Sequence, residues 1–289
     1  MAEGLGGLLA FLSVAGAAAA GGAGEASAAV VTIEDTYTLP AWGLLMRLLR
    51  DAVAPGAARG APPFRRVVVV CANRCREDCV ASLERANVAL PREGGGAGEG
   101  PALRFIDVGE SVLLGADGEA VADVASYSAR AGREAQGPRN AYAESLMGAL
   151  RDAADARGAA GGDTLYLVDS VNAISLGVDS RAHFLDFLDA LIGRGGSRGG
   201  VVLVAHKDVD RDLGLLRHVE DVSDVVVDLS PLRGGPAEDA DGTLRVTCRT
   251  TRAGSILRRD GVHGRTLTAR MLFKQREAGG VEVVSLPGE

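Results

Sequence analysis

The chain has 289 residues, with 31 basic against 38 acidic side chains for a net charge of −7, and 47% of it is hydrophobic. It is long enough to bury a sizeable core and too apolar to be disordered throughout. Charged residues interrupt every stretch that could span a bilayer, so no membrane association is expected. An acidic total also excludes a general electrostatic coating of nucleic acid, so any RNA contact must be made by local basic residues.

Lysine occurs only at Lys207 and Lys274, which excludes any mechanism that needs a lysine earlier in the chain. Four cysteines are too few for a disulfide scaffold and favour a reducing compartment. The expected location is cytoplasmic, with the nucleus as a second compartment. The apolar start lacks the positive flank of a secretory signal, since its early charge is Glu3. Residues 1–29 read instead as a leucine/alanine/glycine-rich leader. A short amphipathic helix over Leu5 to Val14 and a flexible linker to Ala29 are expected within it. Residues 30–289 read as a single domain.

In chain order, Val30 to Ile33 is a β-branched strand, and Trp42 to Val53 carries leucines at helical spacing. The valine run Val67 to Val70 suits a strand covered on both faces. Cys75, Cys79, Val80 and Leu83 fall on one face of an expected helix, and Arg104 to Val108 is a third strand. A glycine-rich loop over 91–101 and a polar insertion flank that strand. Asn140 to Arg157 reads as a helix stopped near Gly158, and Leu165 to Val168 as a strand followed by Asp169.

A helix from about Ser180, capped by Asp179 or Ser180, places Phe184, Leu185, Leu188, Leu191 and Ile192 on one face. Val201 to Ala205 is a further buried strand. Val209, Leu213, Leu216 and Val219 stripe the helix after it, and Val225 to Val227 follow as a strand. Leu244, Val246 and Cys248, then Leu267, Ala269, Met271 and Phe273, alternate with polar residues, and Val281 to Ser285 closes the series. These read as an antiparallel meander with one wet face. The expected fold class is α/β, a mostly parallel twisted sheet with helices on both faces and a C-terminal antiparallel meander.

Ligands of such sheets sit at the carboxyl ends of strands. A nucleotide-binding version carries a glycine-rich lysine loop after its first strand. Here that position reads Glu34-Asp35-Thr36-Tyr37-Thr38-Leu39-Pro40-Ala41-Trp42-Gly43, without lysine and with two carboxylates that would repel phosphate. Asp169 stands where a second nucleotide motif places a magnesium ligand, but without phosphates to share the ion it reads as structural. Cys71, Cys75 and Cys79 are spaced C-x₃-C-x₃-C, which on a helix face reads as core packing rather than a metal centre. Neither a metal nor a cofactor is expected, and no catalytic residues are assigned.

His206, directly after a buried strand, reads as a histidine hydrogen-bonded at a strand end. Arg194 and Arg198, in a glycine-rich loop, can present guanidinium groups to phosphates, and Arg245, Arg249, Arg270 and Lys274 line the wet face of the meander. Candidate RNA contacts are therefore Arg194, Arg198, Arg245 and Arg249.

From Leu165 onward the chain resembles the Elongator complex protein 6 family, RecA-like subunits of the Elongator accessory ring that lack the nucleotide motifs. The likeness is carried by Leu165 to Asp169, by His183-Phe184-Leu185-Asp186-Phe187-Leu188, and by Val201 to Asp208. Ser223 to Val227, Pro231-Leu232 and Gly242-Thr243-Leu244 then follow in the same order as in the family. Val31 to Asp35 is similar to its first strand. The likeness covers about half of the chain. Residues 91–140 match poorly, and the family's His/Tyr segment after the second strand is replaced by Asn73-Arg74-Cys75-Arg76. Elongator complex protein 5 has a similar skeleton.

The resemblance implies a non-catalytic RecA-like subunit in a hetero-hexameric ring with Elongator proteins 4 and 5. Such a ring binds tRNA and supports wobble-uridine modification by the catalytic Elongator subunits. Ring neighbours would use the strand ends near His206 and Asp208 and the meander near Arg270, while Phe184 to Ile192 would pack into the chain's own core. The alternative reading is a divergent RecA-like ATPase or recombinase paralogue.

Overall fold

The structure, a computed structural model, describes residues 29–53, 64–85, 88, 102–108, 141–155, 164–178, 180–195, 199–209, 213–235, 237, 239–249, 268–275 and 281–284. The expected leader, the glycine-rich loop and insertion over 91–140, Gly158, Asp179 and Arg198 lie outside the described residues, apart from Ala29 and 102–108.

Strand β1 (Ala29–Asp35) leads into α1 (Trp42–Val53), then β2 (Arg66–Cys71), α2 (Arg76–Arg85) and β3 (Ala102–Asp107). Helix α3 (Ala141–Asp155), β4 (Thr164–Val168), α4 (Val171–Gly177), α5 (Arg181–Gly195) and β5 (Gly200–His206) follow. Helix α6 (Leu213–Val222) precedes β6 (Val225–Pro231), β7 (Gly242–Cys248), β8 (Thr268–Gln275) and β9 (Val281–Val284). One nine-stranded sheet takes them in the order β3-β2-β4-β5-β1-β6-β7-β8-β9. Strands β1 to β6 pair in parallel, and β6 to β9 run antiparallel. This is the expected α/β class, a mostly parallel sheet with helices on both faces and an antiparallel meander added to one end.

The central strands carry apolar side chains on both faces because helices cover both. Val31, Ile33, Val67, Val69, Leu165, Leu167, Val202 and Val204 pack with α1 and α2. Val30, Val68, Val70, Tyr166, Val168, Val201 and Leu203 pack with α3 to α6. Chain direction explains the division. Connections that move toward β3 pass over one face, and those that move toward β6 pass over the other, as right-handed crossovers require. Phe184, Phe187, Leu188 and Leu191 of α5 are buried in the second cluster, as expected of that helix. Ser180 caps it, its hydroxyl accepting from His183 N at 3.2 Å.

Three local expectations change. Helix α2 starts at Arg76, so Cys75 precedes it and is exposed, whereas Cys79 is fully buried. Helix α6 spans Leu213–Val222, so Val209 lies outside it. The seven-residue α4 has no counterpart in the expected elements, being too short for an apolar period; its signal is Ser170, whose hydroxyl accepts from Ala173 N at 3.1 Å. At the β6–β7 hairpin, Gly242 has no room for a side chain. A Cβ there would lie 2.7 Å from both Leu39 Cδ2 and the Ser230 carbonyl oxygen.

No helix among the described residues is long and apolar enough to cross a membrane.

Candidate functional site at the carboxyl ends of the strands

The topology creates crevices at the carboxyl edge where adjacent strands send their connections in opposite directions. Two of these lie between β1 and β5 and between β2 and β4. Each is occupied by a carboxylate of the chain itself.

Between β1 and β5, Asp35 and His206 are register partners at the strand ends. Asp35 Oδ2 accepts from Ala41 N at 2.6 Å, one residue before α1, and Oδ1 bonds His206 Nδ1. The N–H groups at a helix start are where a phosphate-binding α/β protein holds its anion. Here a buried side chain of the preceding strand already serves that end. The connection itself is a tight turn, Leu39 N donating to Thr36 O at 3.0 Å, and it contains no phosphate-cradling loop.

His206 is clamped from several sides. Its N–H donates to Asn172 Oδ1 at 2.7 Å, its carbonyl accepts from Asn172 Nδ2 at 3.2 Å, and the Tyr37 ring stacks on the imidazole at 5.1 Å between centroids. Helix α4, absent from the expected elements, is what delivers Asn172. The Asp35 hydrogen bond raises the His206 pKa against the opposing effect of burial, and Nε2 is buried without a partner. The strand-end histidine is thus hydrogen-bonded as expected. It is only 6% exposed. What faces outward above it is Tyr37, 69% exposed, held by Asp208 Oδ2 accepting from Tyr37 N at 2.9 Å.

Between β2 and β4, buried Asp169 accepts from Ala72 N at 2.6 Å, from Asn73 N at 3.1 Å and from Arg74 N at 2.9 Å. Burial raises its pKa, and the three N–H donors with the Arg74 charge pull the other way. Its lone pairs are spent on the loop after β2, which supports its structural reading. Arg74 lies over the Trp42 ring at 4.7 Å, which ties the same loop to the start of α1.

On the other face of the sheet edge, Glu34 is buried. Burial, with the Glu220 and Asp228 carboxylates nearby, pushes its pKa up to about 8, opposed by Lys207. Lys207 bonds Asp228, whose pKa is lowered; burial works against this, and the Lys207 and Ser230 hydrogen bonds outweigh it.

The arginines expected on the meander have acidic neighbours. Arg245 Nη2 lies 3.3 Å from Asp228, and Arg249 bonds Glu220 at 3.0 Å and Asp221 at 3.1 Å. Lys274 bonds Asp241 at 3.0 Å. Arg270 is exposed and sits directly across the strands from Arg245. Arg194 lies in the last turn of α5, with its side chain outside the described residues along with Arg198. Cys71 and Cys79 are buried in the α1/α2 core. Among the described residues, no group of three or more His, Cys, Asp or Glu side chains could hold a metal ion.

The sequence matches no protein-family model and no curated protein. Among solved structures it is similar to the KaiC-like protein PH0186 from the hyperthermophilic archaeon Pyrococcus horikoshii OT3. The TM-score is 0.49 and the identity 13%, over 92% of each chain.

Proposed function

We propose that this chain is a non-catalytic RecA-like subunit of the Elongator accessory hetero-hexameric ring. It would take the position of Elongator complex protein 6 beside proteins 4 and 5, with protein 5 the nearest alternative assignment. The observation that carries the non-catalytic reading is the Asp35 carboxylate on the N–H of Ala41 at 2.6 Å. An incoming phosphate would have to displace a covalently tethered anion and then sit among Asp35, Asp208 and Asp169. Electrostatics opposes both steps. A RecA-like sheet with its nucleotide position closed in this way acts by binding, and the ordered sequence motifs of the β4–β7 region support the Elongator assignment. In the ring it would support tRNA binding and the wobble-uridine modification performed by the catalytic Elongator subunits.

Two measurements test this. Titration of the purified chain with a fluorescent ATP analogue should show no saturable binding; micromolar binding would favour the divergent ATPase reading. Co-expression with Elongator proteins 4 and 5 should yield a co-purifying complex. A chain that remains monomeric and indifferent to both partners would overturn the assignment.

A further inference from the structure

The C-x₃-C-x₃-C spacing has a use that the ring reading does not absorb. Cys71 ends β2 and Cys79 is the fourth residue of α2. Their Sγ atoms are 3.7 Å apart, with the residues 1% and 0% exposed. Cys75 lies between them in sequence, just before α2, and is exposed. Two buried thiols are in contact, and a third, four residues from each in sequence, is open to solvent. We propose that Cys71 and Cys79 are a redox couple that closes to a disulfide, with Cys75 as the exchange thiol and a small-molecule disulfide of the glutathione type as the oxidant.

The chemistry balances with that co-reactant. The Cys75 thiolate attacks one sulfur of oxidised glutathione, forming a mixed disulfide and expelling one glutathione, which takes up the proton lost by Cys75. Cys79, four residues further along the chain, attacks the Cys75 sulfur and expels the second glutathione. Cys71 then attacks the Cys79 sulfur and returns Cys75 to the thiol. Two protein thiols are oxidised, one glutathione disulfide is reduced to two thiols, and two protons move with the two electrons.

The neighbouring Cys79 thiol and burial both raise the Cys71 pKa, so that thiol stays protonated and direct exchange at it is slow without the exposed thiol. Closure would bridge the end of β2 to α2 and pin the loop between them, whose N–H groups Asp169 holds. The redox state is thereby read at the carboxyl edge of the sheet.

The experiment equilibrates the folded full-length chain with reduced and oxidised glutathione, alkylates free thiols and digests with trypsin. Arginines at 66, 74, 76 and 85 put the three cysteines on separate peptides, 67–74, 75–76 and 77–85. The expected product is peptide 67–74 joined to 77–85, lighter by two hydrogens than the separate pair, with Cys75 recovered alkylated. Cys75→Ser should reach the same product about ten times more slowly. Recovery of 67–74 and 77–85 unlinked, with glutathione retained on Cys75, overturns the proposal. So does a final bridge that includes the 75–76 peptide, or an unchanged rate in Cys75→Ser.

Discussion

Replacing Glu34 with glutamine should make the protein more stable, and more so as the pH rises. Glu34 is buried beside Glu220 and Asp228, and its pKa is pushed from 4.5 to about 8. A carboxyl group whose folded value lies above its unfolded one favours the native state fully only below the unfolded value. Stability is then lost as the pH climbs through the folded value, here over a window from about 4.5 to 8. At about 1.4 kcal/mol per pH unit, the cost approaches 3 kcal/mol at pH 7 and about 5 kcal/mol above pH 8. Glutamine keeps the shape and supplies N–H donors toward Glu220 without a proton to lose. Urea midpoints for both proteins at intervals from pH 4.5 to 9 would test this. The curves should approach one another at the acid end and diverge steadily above pH 6, with Glu34→Gln the more stable. Parallel curves across the whole range would refute the reasoning.

Other perturbations have equally direct readouts. Asp169→Ala strips the acceptor from the N–H groups of Ala72, Asn73 and Arg74. It should cost about 3 kcal/mol, or roughly 6 to 12 °C in Tm for a domain of this size, with no rescue by magnesium. Asp35→Ala removes both the anchor at the start of α1 and the partner of His206. Because that partner raises the His206 pKa, the loss should be larger at pH 6 than at pH 9 in thermal melts. Gly242→Ala forces a Cβ against Ser230 O and Leu39. It should lower the urea midpoint by an amount equivalent to about 1 to 3 kcal/mol.

The fold was legible wherever one element carries its own period. Trp42–Val53 shows its helix through leucines alone, β2 shows its two-sided burial through four valines, and β7 shows its wet face through alternation with arginine and threonine. The site was not legible, because its partners meet only through the sheet. Asp35 and His206 are 171 positions apart, and Asp169 reaches Ala72 across 97. A reading along the chain registers two carboxylates that repel phosphate; only the register shows one of them capping a helix while the other, Glu34, turns to the opposite face. Cys75 failed for a smaller reason. The i, i+4 spacing places it with Cys79 only if the helix already includes it, and α2 begins one residue later.

Under the proposed RNA-binding role, the charge pairing on the meander separates its arginines as candidate phosphate contacts. Arg249 is held by Glu220 and Asp221, so an RNA phosphate would compete with two carboxylates for its guanidinium. Arg245 lies 3.3 Å from Asp228 and is 57% exposed. Directly across the ladder stands exposed Arg270. Two like charges facing one another cost a little stability, and a phosphate bound between them would relieve that repulsion. Arg245→Ala with Arg270→Ala, introduced into the ring proposed above, should therefore leave this subunit's Tm nearly unchanged and weaken the proposed tRNA binding. The slope of log affinity against log salt should fall by roughly 0.7 to 0.9 for each phosphate that is no longer neutralised. Arg249→Ala should change that slope much less. If the double variant leaves both affinity and slope unchanged while Arg249→Ala lowers them, the pairing with Asp228 and across to Arg270 does not decide the contact, and the proposed contact is at Arg249.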